Sequence, residues 1–194
     1  HEAYYNWGVA LMELARTKSG SEAEDLYKEA IDKYREAVKY RSDYHGAYYN
    51  WGNVLIYLAQ IKSDSEAENL YDEAIEKYQK AIEYKPDYYQ AYYNWGTALM
   101  ELARTKSGSE AEKLYNEAFE KYQCATEYKP DFYDAYNNWG TALSGLAEIK
   151  TRSEAERLYN EAFKKYQNAI DYKSDYHEAY YNWGVALMEL ARTK

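Results

Sequence analysis

Residues 91–96 read AYYNWG, and this phrase returns at a fixed spacing along the chain. It stands at 3–8, 47–52, 91–96 and 179–184, and as AYNNWG at 135–140, so that successive copies lie 44 residues apart. A fixed period of this length predicts an array of one repeated supersecondary unit, with contacts mainly between neighbouring repeats. Because such arrays mostly present binding surfaces, the repeat guides every later question about function.

The phrase predicts a first helix in each repeat, named helix A here. In the third repeat Tyr92, Trp95 and Leu99 fall on one stripe at helical spacing, which indicates an amphipathic helix. Asp87 precedes this stripe and is expected to cap the helix, so helix A should span about residues 88–106. The counterparts of this cap are Asp43, Asp131 and Asp175.

A serine followed three residues later by a glutamate predicts the start of a second helix, named helix B. In the third repeat this capping box is Ser109 with Glu112, and Ala118 and Tyr122 continue one apolar face. The boxes of the other repeats begin at Ser21, Ser65 and Ser153. No alternating β-branched run and no hairpin dipeptide occurs. The sequence therefore predicts an all-α chain of nine helices, four A–B pairs and a final A helix.

The repeat resembles the tetratricopeptide repeat over the whole chain. The matching residues of the third repeat are Tyr92, Trp95 and Gly96 in helix A, and Ala118, Tyr122, Ala125 and Pro130 in and after helix B. The resemblance implies a right-handed α-solenoid of helix-turn-helix repeats. The family period is about 34 residues, so the period here is longer, and the additional residues fall between Leu99 and Tyr115. We expect them to lengthen both helices at the A–B turn.

We expect residues 1–194 to form a single solenoid, with repeats at about 1–42, 43–86, 87–130 and 131–174. Residues 1–18 and 177–194 are the same string, HEAYYNWGVALMELARTK, so the last segment copies the first helix A. Three explanations stay open: a terminal cap, part of a longer natural array, or a device for head-to-tail assembly. The copy keeps its apolar residues where a cap would carry polar ones, so we expect an open apolar face there.

In tetratricopeptide arrays the A helices line the concave face, and the resemblance implies that an extended peptide binds there. The candidate peptide-binding residues are Tyr49, Asn50, Asn53, Tyr93, Asn94, Thr97, Glu101, Asn137, Asn138 and Thr141. These positions are expected to be exposed, as is Met100. The asparagine before each tryptophan has two open interpretations. Its amide can pair with the backbone of a bound peptide, or it can bond within the array and order neighbouring helices.

Family members that bind chaperone tails hold a C-terminal carboxylate with lysine and arginine. The matching positions here include Gly46, Gln90 and Asp134, and none of the matching residues is basic. The resemblance therefore does not extend to that clamp. Glutamates such as Glu101 and Glu189 on the same face favour a neutral or basic peptide.

Composition excludes several classes of function. The formal net charge of −9 argues against nucleic-acid binding and favours neutral or basic protein partners. No apolar run approaches the roughly 20 residues that cross a bilayer, and no signal peptide is evident, so we expect a cytoplasmic protein without a membrane partner. Cys124 is the only cysteine and has no partner for an internal disulfide. No P-loop and no histidine or cysteine at metal-ligand spacing occurs, so we expect no cofactor, no metal and no enzymatic activity.

Two hypotheses about function follow from these patterns. The first is a non-enzymatic scaffold that binds an extended peptide or partner protein on the concave helix-A face. The alternative is a structural or engineered array that associates with itself through the terminal helices into oligomers, rings or filaments.

Overall fold

The computed structural model describes residues 1–193, except for the side chain of Asp64. This range contains nine α-helices and no strand: α1 Glu2–Ala15, α2 Gly20–Tyr40, α3 His45–Gln60, α4 Asp64–Tyr84, α5 Tyr89–Thr105, α6 Gly108–Tyr128, α7 Tyr133–Glu148, α8 Arg152–Tyr172 and α9 His177–Arg192. The odd-numbered helices are the A helices and the even-numbered ones the B helices. The predicted class, an all-α solenoid of helix-turn-helix repeats, is confirmed. Lys194, the last residue of the copied segment, lies outside the described residues.

The chain divides into two compact units, His1–Ala98 and Leu99–Lys194. Unit 1 holds α1 to α4 and the first part of α5, and unit 2 holds the rest of α5 and α6 to α9. In unit 1 Tyr4, near the start of α1, stacks on Tyr40 at the end of α2 with ring centroids 5.7 Å apart. In unit 2 Tyr136 and Tyr172 stack in the same way between α7 and α8. The α1–α2 and α7–α8 pairs are therefore antiparallel hairpins.

Within a hairpin, small residues on helix A let a helix-B tyrosine approach the backbone. The ring of Tyr78 is fully buried and lies against Gly52 of the neighbouring A helix. A Cβ atom on Gly52 would come within 2.6 Å of Cε1 of Tyr78. The same arrangement joins Tyr166 to Gly140 in unit 2. The last residue of the recurring AYYNWG sequence is thus the glycine on which the helix-B tyrosine packs.

Tryptophans of the A helices contact neighbouring B helices. Lys165 of α8 lies over the Trp139 ring of α7, with Nζ 3.2 Å from the ring centroid, which is cation–π geometry. Trp183 of α9 stacks on Phe163 of α8, with centroids 6.0 Å apart. Helix α8 therefore uses Phe163 as a second apolar edge toward the next A helix.

The helix starts differ from the predicted ones by one or two residues. Helix α6 begins at Gly108 with Ser107 as its N-cap residue, so the prediction of Ser109 as the cap is wrong. The other B helices are shifted in the same way, with N-cap residues Ser19, Ser63 and Thr151. The spacing of the capping box recurs two residues earlier, and Thr151 donates a hydrogen bond of 2.6 Å to Glu154. The residue spacing is the expected one in another register, but the side chains of these N-cap residues form no hydrogen bond with the helix backbone.

The aspartates before the A helices are not their caps. Helix α7 begins after Phe132, and α3 begins after Tyr44, one residue beyond the predicted caps. Asp131 instead accepts a hydrogen bond from Lys129 at 2.9 Å. Arg41 and Asp43 form the same local ion pair in unit 1. In both cases the aspartate carboxylate pairs with a basic residue two positions earlier in the chain and does not cap the helix.

The residues that exceed the usual repeat length lie mostly inside helices. Helix α5 continues to Thr105 and α6 starts at Gly108, so only a short turn separates them. Each B helix contains 21 residues. The prediction of longer helices at the A–B turn is therefore confirmed. Gly108 has a φ of 58°, a left-handed backbone conformation that glycine adopts without strain at this tight turn.

None of the helices in the described range is long and apolar enough to cross a membrane.

Candidate interaction surface on the A helices

The recurring phrase places the asparagines of unit 1 between neighbouring A helices. The Nδ2 group of Asn50 donates to the Tyr5 hydroxyl at 3.0 Å, across α1 and α3. Asn94 donates to the Tyr49 hydroxyl at 3.1 Å and to Oδ1 of Asn53 at 2.8 Å, across α3 and α5. These bonds have the geometry of the second interpretation, in which the amides order adjacent helices.

Asn53 is the centre of this polar cluster. Its Oδ1 atom also accepts a hydrogen bond of 2.9 Å from the Tyr78 hydroxyl, and its Nδ2 group donates to Asn50 at 3.4 Å. The ring of Tyr49 packs against Tyr88, with centroids 4.9 Å apart, and burial raises the pKa of the Tyr49 hydroxyl. One A-helix side chain thus joins three helices of unit 1, and Tyr49 belongs partly to the packing.

One candidate residue of unit 2, Asn137, lies deeper than the sequence predicts. Asn137 is 3% exposed, so its expected position on an open face is wrong. Its Oδ1 atom accepts a hydrogen bond from Asn182 at 3.1 Å, and its Nδ2 group donates to Asn138 at 3.3 Å. Thr141 donates to the main-chain oxygen of Asn137 at 3.1 Å. In the other repeats a tyrosine precedes the asparagine of the recurring phrase. Here Asn137 takes the place of that tyrosine, and its amide bonds to the neighbouring A helix.

The remaining candidate residues are half-buried. Thr97 donates to the main-chain oxygen of Tyr93 at 3.1 Å, one turn earlier on α5. Glu101 forms an ion pair with Arg104 at 2.7 Å. The role of the ten candidates in peptide binding stays a prediction.

Met100 is buried, so its predicted exposure on the helix-A face is wrong. The residue is 4% exposed, because its side chain packs toward the Tyr122 ring of α6. The Tyr122 hydroxyl lies 3.9 Å from the Sδ atom of Met100. This position of helix A therefore contributes to packing within the hairpin.

Unit 1 has a small depression beside its polar cluster. Its volume is about 90 Å³. The lining residues are Asn53, Ile56, Tyr57, Tyr78, Asn94 and Thr97. It therefore coincides with part of the predicted face but has room for little more than a small group.

Unit 2 has a much larger cavity, of about 440 Å³, lined by the A helices α5, α7 and α9. Ser144 and Gly145 of α7 line it, together with Tyr115, Tyr159 and Tyr166 of the B helices. The equivalent A-helix positions elsewhere hold a large pair, namely Met12 with Glu13, Ile56 with Tyr57, Met100 with Glu101, and Met188 with Glu189. The cavity exists in the fourth repeat because both large side chains are absent there.

Charged groups surround this cavity, named the unit 2 cavity from here on. Arg104 of α5, Glu148 of α7 and Glu189 of α9 all line it. Burial raises the pKa of the Glu148 carboxyl, and the negative charge of Glu189 raises it further, while Arg104 acts in the opposite direction. Burial raises the pKa of Tyr159 to about 12, with additional contributions from Glu148 and Glu189. Two carboxylates, of Glu148 and Glu189, therefore face the same cavity as the cations of Arg104 and Lys106.

Sequence reasoning did not predict the unit 2 cavity. A comparison of the repeats contains the signal, because Ser144 and Gly145 are the smallest pair at their two positions. Glu148 stands where the other A helices carry Arg16, Gln60, Arg104 and Arg192. A change of both size and charge within one turn of one repeat marks this surface as different from its neighbours.

The unit 2 cavity is lined by side chains that can form hydrogen bonds, ion pairs and aromatic contacts. Within residues 1–193 no group of three or more histidine, cysteine, aspartate and glutamate side chains is placed to hold a metal ion.

His45 begins α3, and its ring packs edge-on against Tyr88 at 5.5 Å. Burial and the nearby Lys85 lower its pKa. This histidine therefore belongs to the packing at the start of an A helix.

Comparison with known proteins gives a match in sequence to a family model and several matches in structure. A family model described as plant specific mitochondrial import receptor subunit TOM20 matches residues 1–94. No curated protein matches the chain in sequence. A crystal structure of MamA aligns with a TM-score of 0.65 at 18% identity, over 88% of this chain and 83% of that one.

Two further solved structures show the same helical repeat. TTC0263, a thermophilic TPR protein of Thermus thermophilus, aligns with a TM-score of 0.54 at 17% identity, over 93% of this chain and 99% of that one. The first TPR of Spaghetti (RPAP3), bound to the HSP90 peptide SRMEEVD, aligns with a TM-score of 0.52 at 19% identity. That alignment covers 74% of this chain and 95% of the other. At these identities the likeness is one of fold.

Proposed function

Because the chain has the tetratricopeptide-repeat fold, we propose that it is a non-enzymatic interaction scaffold that binds an extended peptide on its A-helix face. The unit 2 cavity is the observation that carries this proposal. It lies among three A helices, and its volume of about 440 Å³ has room for side chains of a bound segment. One of the fold relatives was solved with a bound peptide, which supports a peptide as the kind of ligand.

The hydrogen bonds of the A helices restrict which candidate residues are free to contact a peptide. Asn53 and Asn94 of unit 1 direct their amide donors to neighbouring side chains. Substituting them would therefore alter the packing together with any binding. In unit 2 the cavity residues Ser144 and Gly145 are better probes, because a larger side chain there would occupy the space of the ligand.

The direct test is selection of random peptides on the full chain, followed by affinity measurements on the purified peptides. Gly145→Tyr places in the fourth repeat the side chain that the second repeat carries as Tyr57. We expect it to weaken peptide binding by tenfold or more, about 1.4 kcal/mol, because it fills the cavity. Lys164→Tyr adds the same bulk to the exposed side of α8 and serves as the matched control.

Comparing the peptide affinities of the two variants tells whether peptides bind on the A-helix face or on another surface. Weakening by Gly145→Tyr alone supports the proposal. Failure to select any peptide, or peptides whose affinity responds only to Lys164→Tyr, overturns it. Circular dichroism of both variants establishes that the helical fold is intact before the affinities are compared.

Self-association through the terminal helices is the second candidate, favoured by the open face of α9. Gly184 has no atom within 4 Å of the place where its Cβ would stand, whereas Gly8 of the identical segment receives the Tyr34 ring. Tyr181, Leu187 and Met188 are 72%, 49% and 57% exposed. A second copy of the chain could therefore pack against an apolar surface on α9.

Light scattering over a wide concentration range tests this second candidate. A mass that rises with concentration in the unmodified chain, and stays monomeric in a variant with Leu187→Glu and Met188→Glu, supports self-association. A strictly monomeric mass of the unmodified chain at about 1 mM, far above a micromolar dissociation constant, removes it.

A further inference from the structure

Three of the five A helices carry an ion pair that the other two lack. The pairs are Glu13 with Arg16, Glu101 with Arg104, and Glu189 with Arg192. At the same two positions α3 holds Tyr57 and Gln60, and α7 holds Gly145 and Glu148. The second and fourth repeats therefore share the loss of the pair, and they differ in the residue that replaces its glutamate.

In unit 1 that residue, Tyr57, lies in a complete aromatic site. Its ring stacks on the buried Tyr27 ring of α2, with centroids 5.9 Å apart. The guanidinium of Arg16 on α1 lies 5.5 Å from the centre of the Tyr57 ring and is also paired with Glu13 at 3.2 Å. The arginine thus contacts the glutamate of its own helix and the ring of the next A helix at the same time.

Unit 2 repeats the walls of this site two periods later in the chain. Tyr115 of α6 corresponds to Tyr27, and Arg104 of α5 corresponds to Arg16. Tyr115 is 4% exposed, and Arg104 bonds its hydroxyl and pairs with Glu101 at 2.7 Å. Both side chains line the unit 2 cavity. The aromatic wall and the guanidinium are therefore in place, and the ring that would complete the site is absent.

The space left by Gly145 is open to a ligand. The cavity has its volume of about 440 Å³ with the Tyr115 side chain in place. The Tyr115 hydroxyl lies 2.6 Å from where a Cβ on Gly145 would stand, so it closes the path of a side chain from residue 145 only. A ring that enters from solvent does not need that path.

The charges that line the cavity favour a neutral side chain. Arg104 and Lys106 balance Glu148 and Glu189, so neither sign dominates. The face of an aromatic ring attracts a guanidinium that keeps its carboxylate, as Arg16 does in unit 1. An aromatic ring also stacks on a tyrosine at the centroid distance found there. A phenyl or phenol group therefore suits both walls.

We infer that the unit 2 cavity binds an aromatic side chain of the partner peptide, a tyrosine or phenylalanine, stacked on Tyr115 and facing the Arg104 guanidinium. The bound side chain takes the place that Tyr57 holds in unit 1. This inference rests on the proposed function and names the chemistry of the bound peptide at one position.

The test uses small probes, so that it does not depend on knowing the partner. The full chain is labelled with ¹⁵N-glycine, which gives only nine backbone signals. It is titrated with the N-acetyl amides of tyrosine, phenylalanine, arginine and cyclohexylalanine, the last having the bulk of phenylalanine without an aromatic ring. The Gly145 signal, assigned by its absence from Gly145→Tyr, reports binding. We expect saturable shifts with the two aromatic probes, at a dissociation constant on the order of 1 mM, and binding at least about threefold weaker with the other two.

Three variants separate the ring, the cation and the fold. Gly145→Tyr, followed by saturation transfer to the probe, should abolish binding of the aromatic probes. Arg104→Met should weaken the aromatic probes about three- to fivefold and the cyclohexylalanine probe less than about twofold, because only an aromatic ring attracts the cation. Arg16→Met removes the equivalent ion pair in unit 1 and is the matched control, which should leave all affinities unchanged. Circular dichroism establishes that each variant keeps its helices.

Each other outcome overturns the inference. Equal binding of the phenylalanine and cyclohexylalanine probes would mean that apolar bulk alone is recognised. Preference for the arginine probe would place the ligand on Glu148 and Glu189 instead. Equal losses of the aromatic and cyclohexylalanine probes in Arg104→Met would show that the arginine only supports the packing of Tyr115.

Failure of the proposed function has a different signature. No selected peptide would then bind the chain, while the aromatic probes would still shift the Gly145 signal. If peptides bind and are weakened by Gly145→Tyr, but keep their affinity when their aromatic residues are replaced by leucine, only the aromatic site is wrong.

Discussion

The Tyr78 ring lies on the backbone of Gly52 so closely that no larger residue fits at that point of α3. Tyr78 is fully buried, and the nearest ring atom would be 2.6 Å from a Cβ. The ring is held by its hydrogen bond to Asn53 at 2.9 Å. It therefore has little freedom to move away, and the contact fixes the spacing of the two helices.

Gly52→Ala is expected to destabilise the chain by about 1–3 kcal/mol, because the added methyl group overpacks a closed contact. Chemical denaturation followed by circular dichroism measures this loss. Gly184→Ala is the matched control, since it changes the same glycine of the repeat where nothing lies within 4 Å. That variant should gain up to about 1 kcal/mol from helix propensity. Equal effects of both changes would contradict the importance of the ring contact.

Asn94→Ala is expected to destabilise the chain by about 1 kcal/mol, since it removes two hydrogen bonds and leaves the Tyr49 hydroxyl and Asn53 with fewer partners. Urea denaturation measures the difference. Asn6 holds the same place in the repeat but is exposed, so Asn6→Ala should change stability by less than about 0.5 kcal/mol. A stable Asn94→Ala variant would favour a role of the amide in ligand binding over one in packing.

Stability should fall in acid partly because of Glu24. Hydrogen bonds from Lys28 and Lys62 lower the pKa of this carboxyl from 4.5 to about 2. A carboxyl with a depressed folded pKa stabilises the fold above its unfolded pKa and loses that contribution as pH falls through the folded value. The stability lost on Glu24→Gln should therefore be fully present near pH 6 and shrink between about pH 4.5 and 2. Denaturation curves across this range measure it.

The control for that titration removes a carboxylate of equal charge elsewhere in the unit. Glu76 is 71% exposed on α4, so Glu76→Gln corrects for the change in net charge. A stability difference between the chain and Glu24→Gln that stays constant across the whole acid range would refute the assignment.

The Cys124 thiol should react slowly with alkylating reagents. It is half-buried on α6, and burial raises the pKa of the thiol. Because the thiolate is the reactive form, its fraction at about pH 8 is reduced in the folded chain. We expect iodoacetamide to modify it several times faster after unfolding in urea. Equal rates in the two states would show an unhindered surface thiol.

The sequence predicts the helices well because their apolar residues follow one stripe through the whole repeat. Trp95, Leu99 and Tyr122 are sufficient to predict one A–B pair, and the period extends it to the others. The exact start of helix B could not be predicted, because Ser107 with Glu110 and Ser109 with Glu112 are overlapping capping patterns of the same spacing. Local propensity is the same for both registers.

The contacts of the candidate surface were less predictable, because they depend on side chains of the adjacent A helices. The stripe of α3 alone does not reveal that Asn53 faces the amide of Asn94 on the next A helix. Nor does it reveal that Asn137 is covered by Asn182. The unit 2 cavity arises from the loss of side chains at Ser144 and Gly145, which a pattern of apolar residues does not report. Position-by-position comparison of residue size and charge between repeats would have found it.

The hydrogen bonds between adjacent A helices have a consequence for folding kinetics. They join residues 41 to 45 positions apart, as Asn50 joins Tyr5 and Asn182 joins Thr141. Adding a repeat would add bonds of the same sequence separation, so the loop that must close does not grow with chain length. A hairpin that has formed can serve as the template for the one beside it. Folding should therefore spread along the array from several starting points, at a rate set by one repeat and its neighbour.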